Sequence, residues 1–563
     1  MESKPSPADE GLRARRKPGS GPAEPAEVGK TSSTERGMGT TPSSSTAATQ
    51  AVHAQVAAAQ VYDILSVLLF FRFVNALCVR TFFQPDEYFQ ALEPAWDMAF
   101  GTNSGAWMTW EWQHQLRSSL HPAIFALAYR TVEGVMSAMS LFPPFKALML
   151  VALPGALQSV FAALGDFFTW KLAMDIYGRE SNAPWAALWM TVLNPWQWYC
   201  STRTFSNSLE TTLTIAALCY WPWGVLGDAK ASKELPLQQK GVVASLRISL
   251  VLAAIAVLLR PTNLLIWLCV LGLSVRRLAQ AGISTLLVLV REIAICGLAV
   301  LAVSVASDRL YFGFWTFPPY QWLYFNISAS LAVFYGHMPW HYYLSQGVPL
   351  LTTTFLPFAL VGLYKAAFPP KALPALQSNT LNTLALAALA MITALSLIAH
   401  KEVRFIYPLL PILHTLAAPY ITAFFTAPTP QPAIPAASDP TPLTLRHKFT
   451  LANLLSLNLL IAGYLSVLHQ PAPLSVLSFL RADFERLHPD ALSISTPQLV
   501  EDRELFALFL TPCHSTPGAP TSSTPPSALA PSPVSRRCTP PPGQPSARRT
   551  LMRRIGFTLL SRT

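Results

Sequence analysis

The sequence predicts an all-α polytopic membrane protein, and three observations carry that expectation. Of 563 residues, 52% are hydrophobic and 12% charged, against roughly 25% charged in an ordinary soluble domain. The mean hydropathy is +0.35. Apolar runs suited to bilayer crossing recur between residues 56 and 469, separated by short loops. The formal charge of +11 is scattered over those loops and the two tails. A positive-inside membrane protein carries such an excess, so no nucleic-acid partner is read from it. Seven cysteines show no paired spacing and lie mostly within apolar runs, which argues against a disulfide framework or a zinc site.

Taken in order, residues 1–55 are rich in Ser, Thr, Pro, Gly and Ala, with a basic cluster at Arg13, Arg15, Arg16 and Lys17. Such a segment buries too little apolar surface to fold and is read as a disordered cytosolic tail. Val56–Cys78 is the first crossing, and 80–145 a large loop on the far, luminal side. Within that loop, the apolar stretch from His121 to Phe142 is interrupted by Arg130 and Glu133. Reading 119–142 as interfacial or re-entrant, rather than as a crossing, gathers the later basic loops on the cytosolic side. These are Arg179, Lys230 to Lys240, Arg276-Arg277, Lys365 to Lys371 and Arg446-His-Lys448. Further spans are expected near 146–174, 184–200, 207–226, 245–259, 262–275, 284–306, 346–364, 380–399, 405–425 and 449–468, making about eleven transmembrane helices. The two shortest flank Arg260-Pro-Thr-Asn263, a helix break at a membrane face. Residues 56–469 thus form the transmembrane domain, 470–517 a luminal segment, and 518–563 a low-complexity Pro/Ser-rich tail.

Under this topology the luminal face collects the polar motifs. Thr81-Phe-Phe-Gln-Pro-Asp-Glu-Tyr-Phe-Gln90 sets Asp86 and Glu87 on a Pro-led turn where the first span leaves the membrane. Acids there are costly unless they act, although Pro-Asp-Glu also suits a plain helix start. An inverting sugar transfer needs one general base for the acceptor hydroxyl. One carboxylate serves as that base, and the other orients the acceptor or anchors a basic partner. Trp110, Glu111 and Trp112 form either an interfacial belt or a sugar platform. Arg203 holds a lipid phosphate or snorkels to headgroups, while Asn207 and Glu210 share one helix face. His400, Lys401, Glu402 and Arg404 crowd a short hairpin and suit a cradle for a phosphate leaving group. His337 and His341 stand four apart, a possible metal spacing, but no third ligand accompanies them and no metal is expected. Asp166, inside an apolar run, faces the bundle interior or a partner such as Lys171.

These motifs resemble those of the dolichyl-phosphate-mannose-dependent α-mannosyltransferases. Gln84-Pro-Asp-Glu-Tyr-Phe-Gln90, Thr109-Trp-Glu-Trp112 and Leu116-Arg-Ser-Ser-Leu-His-Pro122 are similar to that family's first luminal loop. Cys200 to Thr211, Leu259-Arg-Pro-Thr262, Phe334-Tyr-Gly-His-Met-Pro-Trp-His341 and His400-Lys-Glu-Val-Arg-Phe-Ile-Tyr-Pro408 extend the likeness. Pro512-Cys-His-Ser-Thr-Pro517 resembles a motif of the branch that adds the third mannose in glycosylphosphatidylinositol (GPI) anchor biosynthesis. The resemblance covers roughly residues 57–517 and implies a GT-C glycosyltransferase fold in the endoplasmic reticulum membrane, with a luminal active face. It implies α1,2 transfer of mannose from dolichyl phosphate mannose to the Man2-GlcN-phosphatidylinositol precursor, with inversion and without metal or other cofactor. The implied partners are that donor, the GPI precursor glycolipid and membrane lipids. The base role passes to Asp86, with Glu87 as its neighbour, and the substrate-binding role to Arg260 and the other motif residues. Two alternatives stand beside it. One is a sister enzyme acting on lipid-linked oligosaccharide or adding the fourth GPI mannose. The other is a lipid transporter without chemistry, whose inverted repeats are not visible here.

Overall fold

A computed structural model describes residues 44–101, 104–227, 237, 241–281, 283–327, 336–428 and 443–487. The chain divides into residues 1–59, whose described part is the first turns of a helix beginning at Ser44, and the compact unit 60–563. That helix, Ser44–Cys78, starts inside the segment expected to be a disordered tail. The rest of the tail, the Pro512–Pro517 motif and the segment 518–563 lie outside the described residues. Of the segment 470–517, expected to be luminal, the described part contains the helix Ala472–Leu487.

Among the described residues eight helices are long and apolar enough to cross a membrane: Ala59–Cys78, Phe145–Tyr177, Val242–Leu259, Pro261–Ala279, Ile283–Phe312, Tyr343–Ala367, Ala375–Ser396 and Lys448–Val467. The protein is a multi-pass, all-α membrane protein. The three other expected spans are shorter helices. The run 184–200 breaks into Ala183–Leu193 and Pro195–Cys200, because Pro195 lacks an N–H and the Asn194 side chain caps the new helix through Gln197 N, at 2.9 Å. The run 207–226 is Ser206–Tyr220 followed by a 3₁₀ turn. The third, Leu409–Phe425, starts after a separate turn at Val403–Ile406. The helices flanking Arg260 are longer than expected, at 18 residues each, and Pro261–Asn263 is a single 3₁₀ turn between them.

Small residues decide how closely the helices approach, as expected where lipid supplies little hydrophobic drive. Leu409–Phe425 is apolar and buried along nearly its whole length. It meets Leu356–Ala367 at Gly362, where any Cβ would collide with the Leu416 carbonyl. Gly165 similarly lets Pro143–Tyr177 approach Ser206–Tyr220, since a Cβ there would stand 3.0 Å from Thr212 Oγ1. That hydroxyl donates to the Phe161 carbonyl at 2.9 Å.

An ion pair closes the interior. Arg72 donates to both oxygens of Asp166 at 2.6 and 3.0 Å, and both side chains are wholly buried. Gln197 adds a bond to Asp166 Oδ1 at 3.0 Å, and the Tyr407 hydroxyl donates to Gln197 Oε1 at 2.7 Å. Asp166 therefore faces the bundle interior. Lys171 pairs instead with Asp175, one turn along its own helix.

Candidate active site

Pro85 opens the turn that carries the two acids. Its carbonyl accepts from Tyr88 N and Phe89 N, and a π-helical turn, Tyr88–Leu92, follows at once. Such wide turns redirect side chains and are frequent at functional sites. The loop is tied at its base by Arg80 N to Ser466 O and Phe82 N to Gln470 O, both at 3.0 Å. Adjacent residues on a helical turn diverge by about 100°, so the two acids meet different partners.

Glu87 turns inward. Both its oxygens accept from Arg203 Nη1 at 3.1 Å, and Gln84 N adds a bond at 3.3 Å. Burial raises the Glu87 carboxyl above its ordinary value, and the Arg203 charge pulls it back. Arg203 also donates through Nε to the Tyr199 carbonyl and through Nη1 and Nη2 to Thr81, with its guanidinium 4.2 Å from the Tyr199 ring centre. Every nitrogen of Arg203 is engaged within the protein. The side chain is buried, so it neither snorkels nor presents itself to a phosphate.

Asp86 turns the other way, and its Oδ2 accepts from Arg404 Nη1. Arg404 also clasps Glu402 at 2.6 and 3.0 Å, and His400 Nε2 reaches Glu402 Oε1 at 2.9 Å. Burial alone would raise Glu402, but the Arg404 charge and the bonds from His400 and Arg404 outweigh it and hold the carboxyl well below its ordinary value. Arg404 is held fully charged in spite of its burial, because Asp86 and Glu402 flank it. Lys401 does not join this cluster. It is buried and donates to the carbonyls of Met338 and Ile398, stitching residues 338 and 398–401 together. In the hairpin expected to form a phosphate cradle, His400, Glu402 and Arg404 bond one another, and Arg404 reaches Asp86.

A second layer supports Arg260. Its Nη2 donates to Asn207 Oδ1 at 2.9 Å, and its guanidinium stands 5.3 Å from the Phe405 ring, beside which Arg404 also lies, at 5.7 Å. Asn207 Nδ2 donates to Glu210 at 3.1 Å, and Asn263 Nδ2 donates to Glu210 at 2.9 Å and to Thr214 at 2.8 Å. Burial, then the charges of Arg404 and Arg117, pull Arg260 down to about 10.

The first loop closes one side. Glu111 accepts from Gln90 at 3.0 Å and approaches Arg117 at 3.5 Å. Trp112 is buried, donates to the Phe89 carbonyl at 2.9 Å and packs on Tyr311 and Phe312, so its role is packing. Trp110 stays partly exposed beside His114. His337 and His341 are exposed, and His341 bonds Ser345 at 3.1 Å. Among the described residues no three His, Cys, Asp or Glu side chains are placed to hold a metal ion. Sequence reasoning missed Asp308, whose carboxylate takes Ser119 N at 2.6 Å and the hydroxyls of Ser118 and Ser119 at 3.1 and 2.8 Å. It fixes the start of the helix Leu120–Ala138. A lone acid ending an apolar run was the available signal.

A sequence model of the Alg9-like mannosyltransferase family matches residues 63–521. The chain is 53% identical over 463 residues to GPI mannosyltransferase 3 of Gibberella zeae, an alignment covering 80% of this chain and 75% of that protein. To GPI mannosyltransferase 3 of Aspergillus fumigatus it is 48% identical, covering 81% of this chain and 60% of that one. Mannosyltransferase APTG1 of Arabidopsis thaliana is 33% identical, over 80% and 73% of the two chains. Among solved structures, ArnT from Cupriavidus metallidurans bound to undecaprenyl phosphate aligns with a TM-score of 0.47 at 13% identity, over 83% and 85% of the chains. The family match spans the first loop, the Arg203 and Arg260 motifs and the Glu402–Arg404 hairpin, and the chain belongs to the Alg9-like mannosyltransferase family.

Proposed function

We propose that this enzyme adds the third mannose of the GPI precursor, in α1,2 linkage, from dolichyl phosphate mannose, at the luminal face of the endoplasmic reticulum membrane and on a GT-C scaffold. One observation carries the mechanism. Of the four carboxylates in the cluster, Glu87, Glu210 and Glu402 have both oxygens engaged, whereas Asp86 uses Oδ2 alone and its Oδ1 makes no hydrogen bond among the described residues. Asp86 Oδ1 takes the proton from the acceptor hydroxyl. The hydroxyl oxygen forms a bond to the anomeric carbon as the bond to the phosphate oxygen breaks. Dolichyl phosphate leaves with that electron pair, and the configuration inverts. Arg404, fixed by Glu402, holds Asp86 in place.

Names of relatives at 53% and 48% identity support the third-mannose reading over the sister enzymes. The test is rescue of GPI-anchored surface proteins in cells lacking the third-mannose enzyme, with the full chain and Asp86→Asn side by side. Rescue by the first alone is expected. Failure of both at normal expression overturns the acceptor assignment, and rescue by both overturns the base.

A further inference from the structure

Gln90, four residues along the chain from Asp86, lines a cleft together with Arg117, Ser118, His121, Ser206 and Pro261. Two buried nitrogens that line it have no partner among the described residues: Arg117 Nε and His121 Nε2. His121 is only 5% exposed. An orphaned buried donor carries a desolvation cost that a ligand's acceptor can relieve. Arg260 adjoins the same cleft through its neighbours Leu259 and Pro261, and of its nitrogens Nη2 makes the bond to Asn207. The acids near these cations are largely committed: Asp86 Oδ2 to Arg404, with Oδ1 left for the reacting hydroxyl, Glu210 to Asn207 and Asn263, and Glu111 to Gln90 and, weakly, to Arg117. The cleft therefore holds two buried nitrogens that no acceptor among the described residues satisfies, one on a guanidinium and one on an imidazole. Burial and the Arg260 charge keep His121 down to about 4, so the imidazole is neutral while the cleft lacks an anion.

We propose that Arg117, His121 and Arg260 bind a lipid-linked phosphate group next to Asp86. This rests on the mannosyltransferase reading for its substrates but not for its chemistry, which is that of a buried phosphate among unsatisfied N–H donors. Its position is set by Asp308, which pins Ser118 and Ser119 between the two donors. Two glycolipids in the reaction carry phosphate: the polyprenyl phosphate of the donor and the phosphodiester of the inositol lipid acceptor.

The test is direct binding to the purified full chain in detergent, with citronellyl phosphate as one probe and a soluble short-chain phosphatidylinositol as the other. The proteins are wild type, Arg117→Gln, His121→Gln and, as a control far from the cleft in sequence and on another pocket, Arg277→Gln. Melting temperature is read in parallel, and Arg117→Lys replaces any Arg117 variant that does not fold. A loss of about tenfold or more, as for one charge-assisted bond, is expected in both cleft variants and absent in Arg277→Gln. Loss confined to citronellyl phosphate assigns the donor, and loss confined to phosphatidylinositol assigns the acceptor. Unchanged affinity for both probes in folded cleft variants overturns the proposal. Asp86→Asn, which should bind both probes normally, separates failure of this site from failure of the base assignment.

Discussion

Among the described residues, two buried ion-pair networks differ in one respect. Around Arg72 and Asp166 every carboxylate oxygen is taken, Oδ1 by Arg72 and Gln197 and Oδ2 by Arg72. Around Asp86 and Arg404 each guanidinium nitrogen is engaged, but the carboxylate keeps Oδ1 unengaged among the described residues. The first is closed and can only hold helices together. The second is open on the side where a hydroxyl would arrive. Charge in a membrane protein is therefore a weak guide to function, and the residual hydrogen-bonding capacity of each group is the better one. Glu87 and Arg203 look like part of the catalytic loop by position, yet by this criterion they belong with the closed network.

The largest effect should fall on Asp86→Asn, which keeps the shape and removes the base. Turnover should drop about 10²- to 10⁴-fold with an unchanged melting temperature, measured by mannose transfer and thermal unfolding of the same preparation. Next comes Asp166→Ala, which leaves Arg72 buried without a counter-charge and should destabilise by about 3–5 kcal/mol, read as lost folded yield in detergent. The comparison is sharpest in paired variants. Arg72→Met with Asp166→Leu should recover much of that stability and retain transfer, since a closed buried pair can be replaced by apolar groups. Arg404→Met with Asp86→Leu should fold and stay inactive. If the Asp86 pair proves equally replaceable, the distinction fails.

A smaller effect concerns pH. The folded value of His121, about 4, lies below its ordinary 6.5. Between these values the unfolded chain binds the proton and the folded chain does not, so stability falls as pH drops from 6.5 towards 4. The melting temperature of wild type should decline over that interval, and His121→Gln should decline less. Equal slopes would place the His121 ring in contact with water.

Much of the site was legible in the sequence because its parts are short polar runs between apolar ones. Asp86, Glu87, Arg203, Asn207, Glu210, Arg260, Glu402 and Arg404 all stand out that way, and the fold brings them to one cluster. What spacing could not convey is which of them answer one another. Arg72 reaches Asp166 across 94 positions and Arg404 reaches Asp86 across 318, and no local pattern encodes such pairs. Nor does local spacing show that the partners of Lys401 are backbone carbonyls, one of them 63 residues away. Arg117 and His121 lie inside a motif the sequence shows, yet that Nε and Nε2 lack partners among the described residues is visible only in the packed structure. The helix breaks at Asn194-Pro195 and Pro261 were more legible at the second site than at the first, since Arg260 marks a polar edge whereas Asn194 is buried among apolar neighbours.

The central claim, that Asp86 is the base while its neighbour Glu87 is structural, is tested most directly by single-turnover mannose transfer with donor pre-bound. Wild type, Asp86→Asn and Glu87→Gln are compared at equal folded concentration. The account predicts that Asp86→Asn binds donor normally yet transfers at least about 100-fold more slowly, and that the folded fraction of Glu87→Gln transfers within about tenfold of wild type. Rapid transfer by Asp86→Asn, with Glu87→Gln folded and inactive, would contradict it and move the proton acceptor to Glu87.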